Sequence, residues 1–205
     1  MDIFSSMKDI FTNIGLFLII IIAIILVAYS MESPRLVRYY VRSSPIDYDF
    51  VSSVKQIINS TNWRHYRVEE SADEASADIV INLADRNEME KWHTKKEYYP
   101  SGKEIRFSVT VQSKTRKPEI YIDAINWKDG VSESRLSLEQ YRNYVIRHEF
   151  MHALGYDHQP CNINTAINGV CPILYQSTRG CPDGFKCGSQ VTTVDFEKRL
   201  PVSYL

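Results

Sequence analysis

Eleven consecutive residues constrain this chain more than any others: His148-Glu149-Phe150-Met151-His152-Ala153-Leu154-Gly155-Tyr156-Asp157-His158. If the segment opens as a helix, His148 and His152 lie one above the other on a single face. Two imidazoles so placed can both reach one metal ion at about 2.0–2.1 Å. The next helical turn would carry a third side chain too far along the axis. Gly155 removes that obstacle, because a residue without Cβ can take φ > 0 and turn the chain sharply, which returns His158 to the other two. Three protein ligands leave a fourth position open, the arrangement of a catalytic rather than a closed structural zinc site. Glu149, next to the first histidine, is then placed beside the metal as a general base. A bare His-Glu-x-x-His can also be a histidine pair on an amphipathic core helix; the glycine and the third histidine at fixed offsets favour the metal site.

The helix is signalled separately. Ser137 followed three residues later by Gln140 is a capping-box pattern, and Leu138, Tyr141 and Val145 continue it towards Leu154, with Gly155 as the stop. Upstream, Leu36 to Arg42 reads as a strand. Phe50, Val51, Val54, Ile57 and Ile58 recur at helical spacing up to Asn59-Ser60. Trp63 to Val68 and Asp78 to Leu83 read as strands, and Arg86 to Gly102 as a polar surface loop. Ile105 to Val111 alternates, with Ile105, Phe107, Val109 and Val111 on one face and Arg106, Ser108 and Thr110 on the other. Glu119 to Ile125 alternates likewise. The expected fold is α+β: a mixed sheet with an active-site helix and an irregular cysteine-rich tail.

Ile14 to Tyr29 carries no charge, and extending back to Ile10 adds only Thr12 and Asn13 as polar residues. At about 1.5 Å rise per residue this crosses roughly 30 Å of hydrocarbon. We expect residues 1–9 to be a tail, 10–30 a transmembrane anchor and 31–205 one domain. A cleaved signal peptide is the alternative, with Ala28-Tyr29-Ser30 as its cleavage site, but the run is long and Asp2, Lys8 and Asp9 do not make a basic cluster. Arg35, Arg38 and Arg42 after the span would place the domain in the cytoplasm by the positive-inside rule. Cys161, Cys171, Cys181 and Cys187 argue for the other side, since four clustered cysteines suggest two disulfides and an oxidising compartment. A structural zinc site is the competing reading of those cysteines, although no Cys-x-x-Cys pair is present. With a formal net charge of −1 and no basic block, nothing marks a nucleic-acid partner.

The eleven residues resemble the signature of the metzincin zinc metallopeptidases, His-Glu-x-x-His-x-x-Gly-x-x-His. The segments Phe107 to Val111, Tyr121 to Ala124 with Trp127, Tyr144 to Glu149 and Tyr175 to Cys181 look like an uncharacterised family of secreted or membrane-bound bacterial metzincin-like proteins. That resemblance implies Zn2+ on His148, His152 and His158, with Glu149 as base. It also implies a peptide or protein substrate pairing with an edge strand, either Ile105 to Val111 or the strand after it. Metzincins place a methionine in a tight turn beneath the metal. Here Cys171 to Gln176 resembles that turn, with Leu174 in the methionine's place and Tyr175 beside it, a swap of similar volumes. The resemblance also implies the pairing Cys161–Cys181, leaving Cys171–Cys187. A membrane-anchored peptidase with its catalytic domain on the non-cytoplasmic side is therefore expected. The rival is a catalytically silent structural or partner-binding membrane protein that keeps the zinc fold, and a third reading is amidase-type hydrolysis of cell-wall peptide. The presence of Glu149 favours catalysis, because a structural site has no need of that carboxylate.

Overall fold

The computed structural model describes residues 34–199 apart from 43, 46, 93–96, 101 and 103, together with Phe17 and residues 19–22. The chain divides into two units, Met1–Arg35 with Arg64–Arg67, and Leu36–Trp63 with Val68–Leu205. In the first unit, Phe17, Ile19, Ile20, Ile21 and Ile22 are helical and exposed, and the Arg35 amide donates to the His65 carbonyl at 2.8 Å. Among the described residues no helix is long and apolar enough to cross a membrane. The expected span 10–30 lies almost wholly outside them.

In chain order the elements are β1 (Arg35–Val41), α1 (Phe50–Asn59), β2 (Tyr66–Glu70), β3 (Ile79–Ala84), α2 (Arg86–Met89), β4 (Glu97–Tyr98), β5 (Glu104–Ile105), β6 (Val109–Ser113), β7 (Arg116–Asp123), α3 (Ala124–Asp129) and α4 (Leu138–Ala153). Five strands form one sheet in the order β2-β1-β3-β7-β6, and β4 pairs with β5 in a small second sheet. β3 runs parallel to both β1 and β7, whereas β6 is antiparallel to β7. The fold is thus α+β around a mostly parallel sheet. β3 is buried at all six positions, as a strand with parallel neighbours and both faces covered must be. Its one polar residue, Asn82, is satisfied: it donates to the Ile120 carbonyl at 3.1 Å and accepts from Arg42 at 2.7 Å.

The register sorts the two faces. Tyr39 stands beside Ile79, Val41 beside Ile81, and Ile81 beside Ile120. This face meets α4, with Tyr39 edge-on to Phe150 at 6.2 Å and Trp63 against Phe150 at 4.6 Å. On the opposite face Ala84 and Tyr121 pack with Met89 of α2, flanked by Val109 and Val111. Thr110, opposite Ile120, therefore faces α4. The expected strand Ile105 to Val111 is two elements: β5 pairs with β4, residues 106–108 break the run, and only Val109 onwards joins the main sheet. The expected surface loop Arg86 to Gly102 contains α2 and β4, and it buries Met89 and Tyr99. Asp85 starts α2 by accepting from the Glu88 amide at 2.9 Å, a local cap. Of the two expected substrate strands, β6 lies at the sheet edge, while β7 is interior.

The expected cysteine pairing is corrected. The bonds are Cys161–Cys171 and Cys181–Cys187, with Cα–Cα distances of 5.1 and 5.5 Å. The backbones at Cys171 and Cys187 do come together, since Val170 bridges Lys186 and the Cys171 amide donates to the Lys186 carbonyl at 2.8 Å. Side chains on paired neighbouring segments stand side by side, however, and a disulfide needs Cβ atoms converging to about 3.8 Å. Turns within each loop supply that convergence locally. The sequence separations of 10 and 6 give about 2–3 kcal/mol per bond in the chain-entropy model. A non-reducing digest should yield the two local bridges and no peptide joining Cys161 to Cys181; recovery of that cross-loop peptide would refute the pairing.

Candidate metal centre

The Ser137 and Gln140 cap is formed in both directions. The Gln140 amide donates to Ser137 Oγ at 3.2 Å, and the Ser137 amide to Gln140 Oε1 at 3.0 Å. At the other end Gly155 has φ 89°. The Gly155 amide bonds the His152 carbonyl at 2.8 Å and the Tyr156 amide the Met151 carbonyl at 3.1 Å, which is a Schellman motif. That turn delivers the Tyr156 carbonyl to His152 Nδ1 at 2.7 Å. Two residues later the chain has brought back His158, whose Nε2 lies 3.2 Å from that of His152. His148 Nε2 lies 3.1 Å from His152 Nε2. The three histidines form a group able to hold a metal ion.

The hydrogen bonds test whether these residues fit such an ion. His148 Nδ1 is 2.7 Å from the Ile173 carbonyl, as His152 Nδ1 is from that of Tyr156. A carbonyl only accepts, so both Nδ1 atoms carry the proton and both Nε2 atoms present lone pairs. Burial opposes a second proton. It lowers the His148 pKa well below the usual histidine value, and lowers that of His152 to about 4. Bare acceptors 3.1 Å apart cannot bond each other, and a cation between them resolves the conflict. Nitrogens tetrahedrally placed about 2.0–2.1 Å from one ion stand about 3.3 Å apart. The donor set fits.

Glu149 is 5% exposed, and burial pushes its carboxyl up to about 7 against the Thr110 hydrogen bond, which lowers it. Thr110 Oγ1 lies 2.8 Å from both the carbonyl and Oε2 of Glu149. Gln112 Nε2 donates to the His152 carbonyl. The histidines and Glu149 open on a cleft of about 560 Å3, bordered also by Phe107 to Thr110, Gln112, Tyr144, Val145, Gln176, Thr178 and Arg179. Leu174 is fully buried in the turn whose Ile173 carbonyl orients His148. Tyr175 is half-buried and stands outside the residues bordering the cleft; its carbonyl accepts from the Tyr144 hydroxyl at 3.2 Å.

Sequence reasoning missed Asp195. It is fully buried and accepts from the Leu174 amide at 3.0 Å, the Thr192 amide at 2.8 Å and Thr192 Oγ1 at 2.7 Å. Gln159 closes the other side, its amide donating to the Leu174 carbonyl at 3.2 Å and its side chain to the Val194 carbonyl. Lys198 pairs with Asp157 at 2.7 Å and donates to the His158 carbonyl at 3.1 Å. The tail segment from Thr192 to Lys198 thus braces the turn behind His148 and the backbone of His158.

Residues 47–195 match the family described as "Protein of unknown function (DUF3152)". The chain belongs to that family. Among curated proteins, none matches it.

The bracing carries a testable expectation. Asp195→Ala should weaken metal binding about tenfold, the lower end of the effect of groups that orient ligands, whereas His152→Ala should abolish it. Chelator competition measures both, and unchanged affinity in Asp195→Ala would contradict the brace.

Proposed function

We propose that this protein is a membrane-anchored, zinc-dependent endopeptidase of the metzincin type. The observation that carries the reading is the placement of three convergent Nε2 atoms, two of them with free lone pairs, and a buried carboxylate at a cleft bordered by an edge strand. Three neutral imidazoles suit zinc. A zinc ion held there supplies Lewis acidity to an attacking water and to the substrate carbonyl.

The remaining steps belong to the chain. β6 offers its edge to an extended peptide, so main-chain hydrogen bonds hold substrates of varied sequence. Phe107 and Val109, half-buried, give the cleft apolar surface against which substrate side chains can pack. Burial keeps the Glu149 pKa near neutrality, where a carboxylate can both take and return a proton. Glu149 Oε takes the proton of the attacking water, then delivers it to the leaving amine nitrogen as the C–N bond breaks.

The anchor at residues 10–30 remains part of this proposal, with the domain on the non-cytoplasmic side. Two disulfides and no free cysteine among the described residues support an oxidising compartment.

Two experiments test the reading. Zinc-loaded full-length chain in detergent should cleave members of a peptide library, and Glu149→Gln should retain zinc while losing at least about 100-fold in kcat, the scale of general-base catalysis. Absence of any cleavage by zinc-replete wild type, or loss of metal in the Gln variant, would remove the support. Separately, the chain should stay in the membrane pellet after carbonate extraction; release to the supernatant would dismiss the anchor.

A further inference from the structure

Thr110 is a β-branched residue with few χ1 choices, on a strand already hydrogen-bonded to β7. Its hydroxyl has one proton and two acceptors at 2.8 Å, the carbonyl and the carboxylate Oε2 of Glu149. Among the described residues no other side-chain donor is recorded on that carboxylate. A glutamate has three rotatable bonds, and a buried one has little water to orient it. The group that donates to it therefore decides where its oxygens stand. Two residues along the strand, Gln112 makes a second contact with the same helix through the His152 carbonyl. One contact would let strand and helix pivot about each other, whereas two fix their register.

We infer that Thr110 is the positioning residue of Glu149, so that the edge strand offered to substrate also sets the general base. This rests on the peptidase reading above and goes beyond it in assigning the base's orientation to a side chain of β6. A peptide pairing with β6 then stiffens the element on which the base depends.

The test uses the full-length chain in detergent, zinc-loaded, with a peptide that the wild type cleaves. Thr110→Val keeps the side-chain shape and removes the donor. It should lower kcat about tenfold or more, with KM within about twofold and zinc content unchanged. Thr110→Ser, which restores the hydroxyl, should recover most of the loss. A structural role alone would not separate kcat from KM in this way, nor be rescued by serine. If Thr110→Val does not fold, Thr110→Ala, which sets no methyl against the two acceptor oxygens, takes its place. An activity-independent readout is a double-mutant cycle on the metal-free chain, combining Thr110→Val with Glu149→Ala and following urea unfolding. The two effects on the folding equilibrium should be non-additive by about fivefold or more. Wild-type kcat in Thr110→Val, zinc loss in that variant, or an additive cycle would each overturn the inference. If the wild type cleaves no peptide, the peptidase reading fails instead, and the cycle still decides whether Thr110 holds Glu149.

Discussion

The positive φ of Gly155 is the constraint on which the site depends. A Cβ-bearing residue there would be strained in the left-handed region, and several bonds originate in the turn it permits. The turn closes the last carbonyls of α4, carries the Tyr156 carbonyl to His152 Nδ1, and sends the chain back so that His158 meets the other two histidines. Without it, His148 and His152 would still share a helix face, but neither the third ligand nor the second ring's acceptor would be in place.

α4 also uses three directions at once. Phe150 and Met151 are fully buried, and Phe150 sets its rotation against Tyr39 and Trp63. His148, Glu149 and His152 turn to the cleft. Arg147 leaves on a third side, where it donates to Thr61 Oγ1 at 2.7 Å and to the Ser189 carbonyl, just past the end of α1. Three successive polar residues, Arg147, His148 and Glu149, are buried. Each costs desolvation unless bonded, and each has a partner from a different part of the chain: the segment after α1, the turn at Ile173, and β6. The aromatic packing around Phe150 offsets part of that cost.

The parts legible in the sequence were those set by local chemistry. Ser137 and Gln140 cap each other across three residues, so the helix start needed no tertiary information, and the same holds for Gly155 and its stop. The hydrophobic run of β3 announced a strand without saying that it would be central. What stayed hidden depended on distant partners. Ile105 to Val111 alternates throughout, yet the chain leaves the main sheet at residues 106–108 because β5 finds β4 instead. Asp195 reads as one more acidic residue until the Leu174 amide, twenty-one positions away, is brought to it. The Asp85 cap of α2 was in principle visible, but the polar sequence after it outweighed so short a signal. Likewise nothing in a strand's alternation says that its polar face will meet a helix rather than solvent.

The disulfides have a consequence of a different kind. Each fastens a loop at its own base, Cys161 to Cys171 and Cys181 to Cys187, and neither ties the tail to α4. Hydrogen bonds from His148 and Tyr144 to the carbonyls of Ile173 and Tyr175 do that tying instead, while Asp195, Gln159 and Lys198 brace the turn and the His158 backbone. Residues 162–170 hang from a closed ring in which Ile163 is exposed and Asn168-Gly169 make the tight bend. At its end the loop is held a second time, where Gly169 and Cys171 bond Lys186 on both sides of the Val170 bridge. None of residues 162–170 borders the cleft, so the outer part of this loop can vary in sequence without touching the histidines.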